Sequence, residues 1–256
     1  YIKYTGIGTQ QVEEQLKLVF PNVRCLRMDM DTTSGKTAHR DILDAFTRRE
    51  ADVLIGTQMV AKGVDIPNVT LVGVVFADST LFHSDFRSSE RTFQLLTQVA
   101  GRAGRADKEG RVVIQTNAPG HRAIRLCTKH DYKTFYNLEI GDRLRTLFPP
   151  FAVFVRAQFA CADENAAADA AERFANGVTK TILTALKPAN AENELVFALA
   201  GAAPIRRREG LFRYAVIIKL VRTANTAAAI NAIYAFSDGC ADECYRGIEV
   251  NPQDML

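Results

Sequence analysis

The sequence predicts an α/β protein with two parts, a lobe built on a parallel sheet and then a smaller α+β domain. Three observations lead to this prediction. Strands and helices alternate along the first 117 residues, which is typical of a parallel sheet. Beyond residue 151 the order becomes strand, helix, strand, strand, helix, strand, as in the split β-α-β sandwich. The apolar fraction of 47% and the charged fraction of 24% are those of a folded globular chain.

The spacing of apolar residues predicts the elements of the first lobe. Val12, Leu16 and Val19 recur at helical intervals, and Thr9 can cap that helix. Further helices are predicted at 37–49 and 86–96, and strands at 23–28, 52–56, 69–76 and 111–115. The run at 69–76 is almost continuously apolar, which indicates a strand covered on both faces.

Two adjacent prolines mark the domain boundary. Residues 118–147 have a helical and polar pattern that stops at Phe148-Pro149-Pro150-Phe151. Because proline is excluded from helix interiors and central strands, neither element can continue through this point. We therefore divide the chain into a lobe at 1–117, a helical connector at 118–147 and a C-terminal domain at 148–256.

The second domain has its own alternation. Strands are predicted at 152–160, 195–199, 212–221 and 247–250, helices at 165–186 and 226–236, and an arginine-rich loop before the third strand. We interpret the alanine-rich first helix as a packing element rather than a partner-binding surface.

Composition excludes several classes of protein. A net charge of +3 is too small to establish a polyanion partner. The five cysteines are scattered and odd in number, which favours reduced thiols in the cytoplasm over a disulfide framework or a zinc site. No apolar run approaches the ~18 residues of a spanning helix, so no membrane partner is expected. The first residue is Tyr1 rather than Met, so we expect a piece of a longer protein.

The octet at 98–105 reads Q-x-x-G-R-x-x-R and carries the strongest functional signal. If the segment is helical, Arg102 and Arg105 lie on one face, because residues three apart are neighbours on a helix. Paired guanidinium groups bind phosphate oxygens through two bonds each. Gln98 and the two glycines of the octet favour this interpretation over the alternative, a solvated basic turn.

The segment that follows the predicted strand at 52–56 is a second candidate. Thr57 and Gln58 offer a hydroxyl and an amide to phosphate or sugar oxygens. Lys62 adds charge, Gly63 permits close approach, and Asp65 can accept from a ribose hydroxyl or an arginine. An ordinary strand-to-loop turn explains the same residues equally well.

Ser34-Gly35-Lys36-Thr37 imitates the end of a phosphate-binding P-loop. The full pattern requires a further glycine five positions before Gly35, where the sequence has Met30. We therefore interpret the segment as a plain helix start, and the idea of a small-molecule kinase using Lys36 fails with it.

The second domain contains a basic stretch interleaved with aromatic residues. Its arginines and aromatics could pair with phosphates and stack on the bases of a single strand. The alternative is a basic β-hairpin whose aromatic side chains alternate into the core. The residues concerned are Arg206, Arg207, Arg208, Phe212, Arg213 and Tyr214.

These strings together resemble a known family. Residues 56–65 followed by 98–105 are similar to motifs V and VI in the second motor lobe of superfamily 2 helicases. The string at 85–96, DFRSSERTFQLL, together with those at 29–33, 148–151 and 250–252, resembles the bacterial primosomal replication-restart DNA helicases over essentially the whole chain. The sequence departs from that pattern at Val64, where a histidine is common, and at Val60.

The resemblance implies a RecA-like motor lobe that completes an ATP site. Arg105 is implied as the arginine finger, Arg102 as its companion on the γ-phosphate and Gln98 as the coupling residue, with Gly63 and Asp65 in the same ATP and coupling site. ATP with Mg²⁺ would be shared with a missing first lobe, and zinc is expected upstream of residue 1. The parent would be an ATP-dependent 3′-to-5′ helicase, and this fragment would be inactive by itself.

The resemblance also implies partners. Branched and single-stranded DNA, the acidic tail of single-strand-binding protein near Arg213 or Arg222, and other primosome proteins are expected. The competing hypothesis is a non-catalytic nucleic-acid-binding module that retains a helicase-like fold.

Overall fold

The computed structural model describes residues 8–29, 38–57, 69–83, 85–103, 110–186 and 194–253. The chain forms two compact units. The first comprises Tyr1–His83 with Arg87–Tyr136, and the second comprises Ser84–Phe86 with Asn137–Leu256. Each has its own sheets and its own hydrophobic core, so the chain is α/β with both parallel and antiparallel pairing.

Two parallel strand pairs organise the first unit. Strand β1 pairs with β2 and β3 pairs with β4, so that Met28 lies opposite Gly56 and Val74 opposite Ile114. The elements in chain order are α1 (Thr9–Val19), β1 (Cys25–Met28), α2 (Ala38–Thr47), β2 (Val53–Gly56), β3 (Leu71–Val74), α3 (Asp78–Leu81), α4 (Ser88–Ala100), β4 (Arg111–Ile114), α5 (Arg122–Cys127) and α6 (Tyr132–Thr146), the last of which runs into the second unit.

The core of the first unit gathers side chains from α3 to α6. Phe93 and Leu96 of α4 are at most 3% exposed, and the Phe93 ring stacks on Phe135 with centroids 4.3 Å apart. Ala123 and Ile124 of α5 belong to the same cluster. The first half of the segment expected to be a polar connector therefore supplies buried side chains to this core.

Two sequence expectations for the first unit are wrong. Thr9 does not cap α1, because Gly8 occupies the N-cap position and the Thr9 hydroxyl instead donates to Asp29 Oδ2 at 2.5 Å. Strand β3 is not covered on both faces, since Leu71 is 60% exposed and exposure alternates along the strand. Within the described residues, β3 pairs with β4 alone.

The second unit is a four-stranded antiparallel sheet with helices on one face. The strand order is β6-β7-β5-β8. Asp163 caps the long helix by accepting from the Ala166 N–H at 2.7 Å. The elements are β5 (Ala152–Cys161), α7 (Glu164–Ala185), β6 (Leu195–Arg208), β7 (Leu211–Val221), α8 (Thr226–Asp238) and β8 (Tyr245–Val250).

The expected arginine loop is a β-hairpin. Strand β6 continues to Arg208, and β7 starts at Leu211. Glu209 and Gly210 form the connection, both with positive φ (54° and 81°), which is the backbone of a two-residue type I′ turn. The prediction of a loop was wrong because a turn this short leaves the arginines within the paired strands.

Alanines of α7 let that helix lie close to the sheet. Ala167, Ala170 and Ala171 are at most 2% exposed, and Phe174 and Val178 extend the buried stripe. These side chains pack against Val155, Ala157, Phe159, Val216, Ile218 and Leu220. The interpretation of the alanine-rich helix as a packing element is confirmed.

Candidate nucleotide and nucleic-acid surfaces

The C-terminal end of α4 carries Gln98 and leads to Arg102. The helix continues to Ala100, four residues beyond its predicted end, and Gly101 is its C-cap. The Gly101 N–H donates to the Thr97 carbonyl at 3.1 Å and the Arg102 N–H to the Val99 carbonyl at 3.0 Å. Gln98 is therefore helical and exposed, whereas Arg102 lies in the following turn and is half-buried. Arg105 lies outside the described residues, so the conditional expectation of a helical arginine pair stays a prediction.

The carboxyl ends of β1 and β2 meet at one edge, as the parallel register requires. Thr57 follows β2 there and is exposed. The other predicted residues of that loop, Gln58, Lys62, Gly63 and Asp65, lie outside the described part of the chain, as does the P-loop-like segment at 34–37.

Asp29 follows β1 at the same edge and has a structural role. The residue is 6% exposed, and its carboxylate accepts from the Thr9 hydroxyl at 2.5 Å and from Arg27 Nε at 3.1 Å. Arg27 also lies 3.7 Å from a Glu13 oxygen. These bonds tie the start of α1 to the end of β1.

Sequence reasoning missed Asp78, which performs the same task beside β3 and β4. Its carboxylate is 3% exposed and accepts from the Thr116 hydroxyl and the Asn117 N–H at 3.0 Å each. An aspartate two residues after a long apolar run was the available signal, because a charge placed there needs partners at the strand ends.

The arginine hairpin is partly neutralised by its own surroundings. Glu164 Oε1 accepts from Arg206 Nε at 2.5 Å and from the Tyr214 hydroxyl at 3.2 Å. The Arg207 guanidinium lies 5.0 Å from the ring centroid of Phe212. Tyr214 packs against the core of the second unit, which is the arrangement expected of a hairpin whose aromatics alternate into the core.

Arg213 and Arg222 border two separate depressions of the second unit. The first also contains Arg156, Gln158 and Arg246. The second is lined by Arg222 with Pro149, Pro150, Ala152, Val153, Thr223, Ala224, Thr226, Ala227, Ile230 and Asn251. The structure therefore does not bring these two arginines into one pocket.

The donor set at the end of α4 fits a nucleoside triphosphate. A guanidinium and a carboxamide both donate to phosphate oxygens. Within the described residues, no cluster of three histidine, cysteine, aspartate or glutamate side chains is arranged to hold a metal ion. The helices described in the structure include none that is long and apolar enough to cross a membrane.

Comparison with known proteins gives a family match that includes both candidate segments, residues 56–65 and 98–105. Residues 5–107 match the family described as the helicase conserved C-terminal domain. The chain is 44% identical over 233 residues to the replication restart protein PriA of Bacillus subtilis, covering 91% of this chain and 28% of that protein.

Further relatives carry the same name. The chain is 50% identical over 155 residues to PriA of Synechocystis sp., covering 60% of this chain and 19% of that protein. Identity to PriA of Treponema pallidum is 40% over 192 residues, covering 74% of this chain and 28% of the relative. The chain thus spans less than a third of the length of each of these relatives.

Proposed function

We propose that this chain, which belongs to the PriA family of replication restart proteins, is the C-terminal part of an ATP-dependent DNA helicase that recognises and unwinds branched DNA at stalled forks. The helicase-domain match over residues 5–107 carries the proposal. The position of Gln98 and Arg102, at and just beyond the end of one helix, supports it.

The parallel-paired unit is proposed as a RecA-like second motor lobe that finishes a nucleotide site shared with a first lobe. When bound there, ATP with Mg²⁺ supplies the phosphoryl group that passes to water. Arg105 would act as the arginine finger, Arg102 would hold the γ-phosphate beside it, and Gln98 would link this contact to the DNA side. Such a finger typically raises the rate by ~10³ to 10⁵.

Gly63 and Asp65 are proposed to complete the ATP and coupling site. Because the finger enters only when the lobes close, hydrolysis can be coupled to movement along DNA. We propose 3′-to-5′ movement for the parent and no activity for this fragment alone, since half of the nucleotide site lies in the other lobe.

The second unit is proposed as a split β-α-β, ferredoxin-like domain that binds DNA and partners. Its element order and strand order support this assignment. DNA contacts are proposed for Thr57, Gln58 and Lys62 in the lobe, and for the region of the arginine hairpin in the second unit. The acidic tail of single-strand-binding protein is proposed to bind near Arg213 or Arg222. Other primosome proteins are proposed as further partners in the cytoplasm. A zinc site is proposed for the upstream part of the parent.

Arginine substitution in the full-length parent tests the proposal. We expect Arg105→Ala to abolish unwinding and DNA-stimulated ATP hydrolysis while forked-DNA binding stays within about twofold. Arg40→Ala is the matched control, because the Arg40 side chain is 86% exposed in the same unit. Retained unwinding by the Arg105 variant would reject the finger assignment. If forked DNA does not raise the ATPase rate of the parent, the alternative of a non-catalytic nucleic-acid-binding module is favoured.

A further inference from the structure

Strand β7 sorts the basic residues of the second unit onto two faces of the sheet. Successive side chains of a strand point to opposite faces. Val216, Ile218 and Leu220 of β7 are buried against α7 and α8. Leu211, Arg213 and the other odd-numbered residues of β7 therefore belong to the opposite side, which we call the outer face.

Four arginines, one from each strand of the sheet, share the outer face. Arg208 lies opposite Leu211, and Arg213 lies opposite Ala160. Arg156 lies opposite Ile217 on the central strand, and Arg246 borders the same depression as Arg156 and Arg213. The outer face therefore carries a row of positive charge that runs from the hairpin towards β8.

Two of these four arginines, Arg213 and Arg246, pair with no carboxylate among the described residues. Among the described residues, no group bonds or pairs with the half-buried Arg213 guanidinium. Arg246 donates to three backbone carbonyls, those of Glu243 at 2.6 Å, Ala160 at 2.7 Å and Tyr245 at 3.1 Å. These bonds fix the position of Arg246 without cancelling its charge.

Two carboxylates lie beside the row and reduce its charge only in part. Arg156 pairs with Glu249 at 2.9 Å, and the Glu249 side chain is 46% exposed. Arg208 pairs with Glu209 at 3.2 Å with both side chains at least 67% exposed. The Arg208–Glu209 pair is exposed at both ends, so a competing anion can displace it, whereas the Arg156 side chain is only 13% exposed and stays held by Glu249.

The floor of the depression suits a phosphate backbone rather than bases. The depression is lined by small side chains, those of Ala160, Ala203 and Ala215, which let a nucleic-acid strand approach the sheet closely. Tyr214 and Phe159 also border it, but their rings are packed in the core on the helix side. Without an aromatic platform, base stacking contributes nothing here, so contact through phosphates is expected.

The remaining hairpin arginines, Arg206 and Arg207, are held by contacts within the fold. Arg206 is bound to Glu164 at the start of α7, and Arg207 covers the Phe212 ring. Phe212 has the same parity in β7 as the buried Val216, so it faces away from the outer row. These contacts hold the hairpin in shape.

We propose that the outer face of the antiparallel sheet is the DNA-binding surface of the second unit, with Arg208, Arg213 and Arg246 contacting phosphates and with Arg156, which stays paired with Glu249, beside them in the row. Arg206, Arg207 and Tyr214 position the hairpin instead of contacting DNA. This inference rests on the proposed DNA-binding function and divides the hairpin residues between two roles. Because phosphates carry no sequence information, binding should be independent of sequence.

The test is the salt dependence of binding of a fluorescent oligothymidylate and a fluorescent forked duplex to the 256-residue chain. The logarithm of the binding constant falls linearly with the logarithm of the salt concentration, and each lost phosphate contact makes this slope less steep by ~0.7 on a single strand. We expect Arg213→Gln to reduce the slope by about 0.7 and Arg208→Gln with Arg213→Gln to reduce it by about 1.4. Arg173→Gln controls for net charge, because Arg173 pairs with Asp242 on the helix side.

The double variant Arg206→Gln with Arg207→Gln decides between the two pairs of hairpin arginines. It removes the same charge as Arg208→Gln with Arg213→Gln, and we expect a slope change no larger than that of Arg173→Gln. A larger loss from the Arg206 and Arg207 pair, with circular dichroism unchanged, would overturn the assignment. So would an acidic peptide that binds in an Arg213-dependent manner while neither DNA does. Absence of DNA binding by the unmodified chain would defeat the proposed DNA role of this unit as well, whereas the Arg105 experiment on the parent would stand.

Discussion

The ring of Phe236 occupies the space beside Gly177 that a methyl group would need. A Cβ at Gly177 would lie 3.0 Å from Cε2 of that ring and closer still to Cζ. Phe236 is held in place by Phe174, with ring centroids 5.1 Å apart. The absence of a side chain at Gly177 thus allows α7 and α8 to pack against each other.

Gly177→Ala should therefore destabilise the second unit. Overpacking costs about 1–3 kcal/mol, against a gain of about 1 kcal/mol in helix propensity, so the net effect is a lower free energy of unfolding. Urea denaturation followed by circular dichroism measures it. Gly141→Ala is the control, because nothing lies within 4 Å of a Cβ at that helical glycine. Equal stabilisation by both substitutions would show that the ring moves aside freely.

Arg24 and Asp52 link the starts of β1 and β2 and make stability depend on pH. Asp52 accepts from Arg24 Nη2 at 2.7 Å and from Arg24 Nε and N–H at 3.1 Å each. These bonds lower the pKa of Asp52 to about 2. The unfolded carboxyl has a pKa of about 3.9, so its contribution is complete above that pH and is lost as the pH falls through about 2.

Asp52→Asn should consequently destabilise the chain more at pH 6 than at pH 3. The measurement is the difference in urea midpoint between variant and unmodified chain at the two pH values. In an Arg24→Gln background the same substitution should show little pH dependence, because the partner is gone. A difference that persists at equal size in that background would contradict the pairing.

Three cysteines should differ in their rates of alkylation. A hydrogen bond from Cys244 lowers the pKa of the Cys161 thiol. Burial raises the pKa of Cys244 to about 12 and that of Cys127 to about 11. Since the thiolate is the reactive form, Cys161 should be alkylated first by iodoacetamide at neutral pH.

Mass mapping of the labelled peptides reads the order of reaction. Cys244→Ala should slow the labelling of Cys161, because it removes the donor. Labelling of Cys127 or Cys244 in the folded chain as fast as that of Cys161 would show that neither thiol is protected.

Local pattern predicted most of the fold, and its errors have physical causes. The apolar spacing at Val12, Leu16 and Val19 is a property of the helix itself, so α1 was found. Thr9 was assigned the wrong role because its partner, Asp29, is twenty residues away along the chain. The arginine loop was wrong because charged residues in an edge strand resemble a loop in sequence while pairing depends on the neighbouring strand.

Only part of the candidate site could likewise be predicted from the sequence. The residue types of the octet indicate phosphate chemistry, which needs no structural information. The outer-face row could not be predicted, since Arg156, Arg213 and Arg246 come from strands far apart in sequence and are joined only by register. Asp78 escaped notice because its partners, Thr116 and Asn117, lie 38 and 39 residues away.

Lys219 is a buried cation among aromatic rings, so its titration should make stability depend on pH. Its side chain is enclosed at 8% exposure, and Nζ donates to the Thr146 carbonyl at 2.8 Å and lies 4.7 Å from the Phe148 ring centroid. Burial lowers the pKa of Lys219 below its ordinary value of 10.5. The unfolded chain therefore binds more protons than the folded chain in the window just below that value, so stability rises with pH there. Relative to Lys219→Met, the unmodified chain should become more stable as the pH rises from 8 to 10. Lys180→Met, at an exposed lysine, is the control for the loss of one positive charge. Parallel profiles for the unmodified chain and Lys219→Met would show that Lys219 keeps the same proton affinity in the folded and unfolded states.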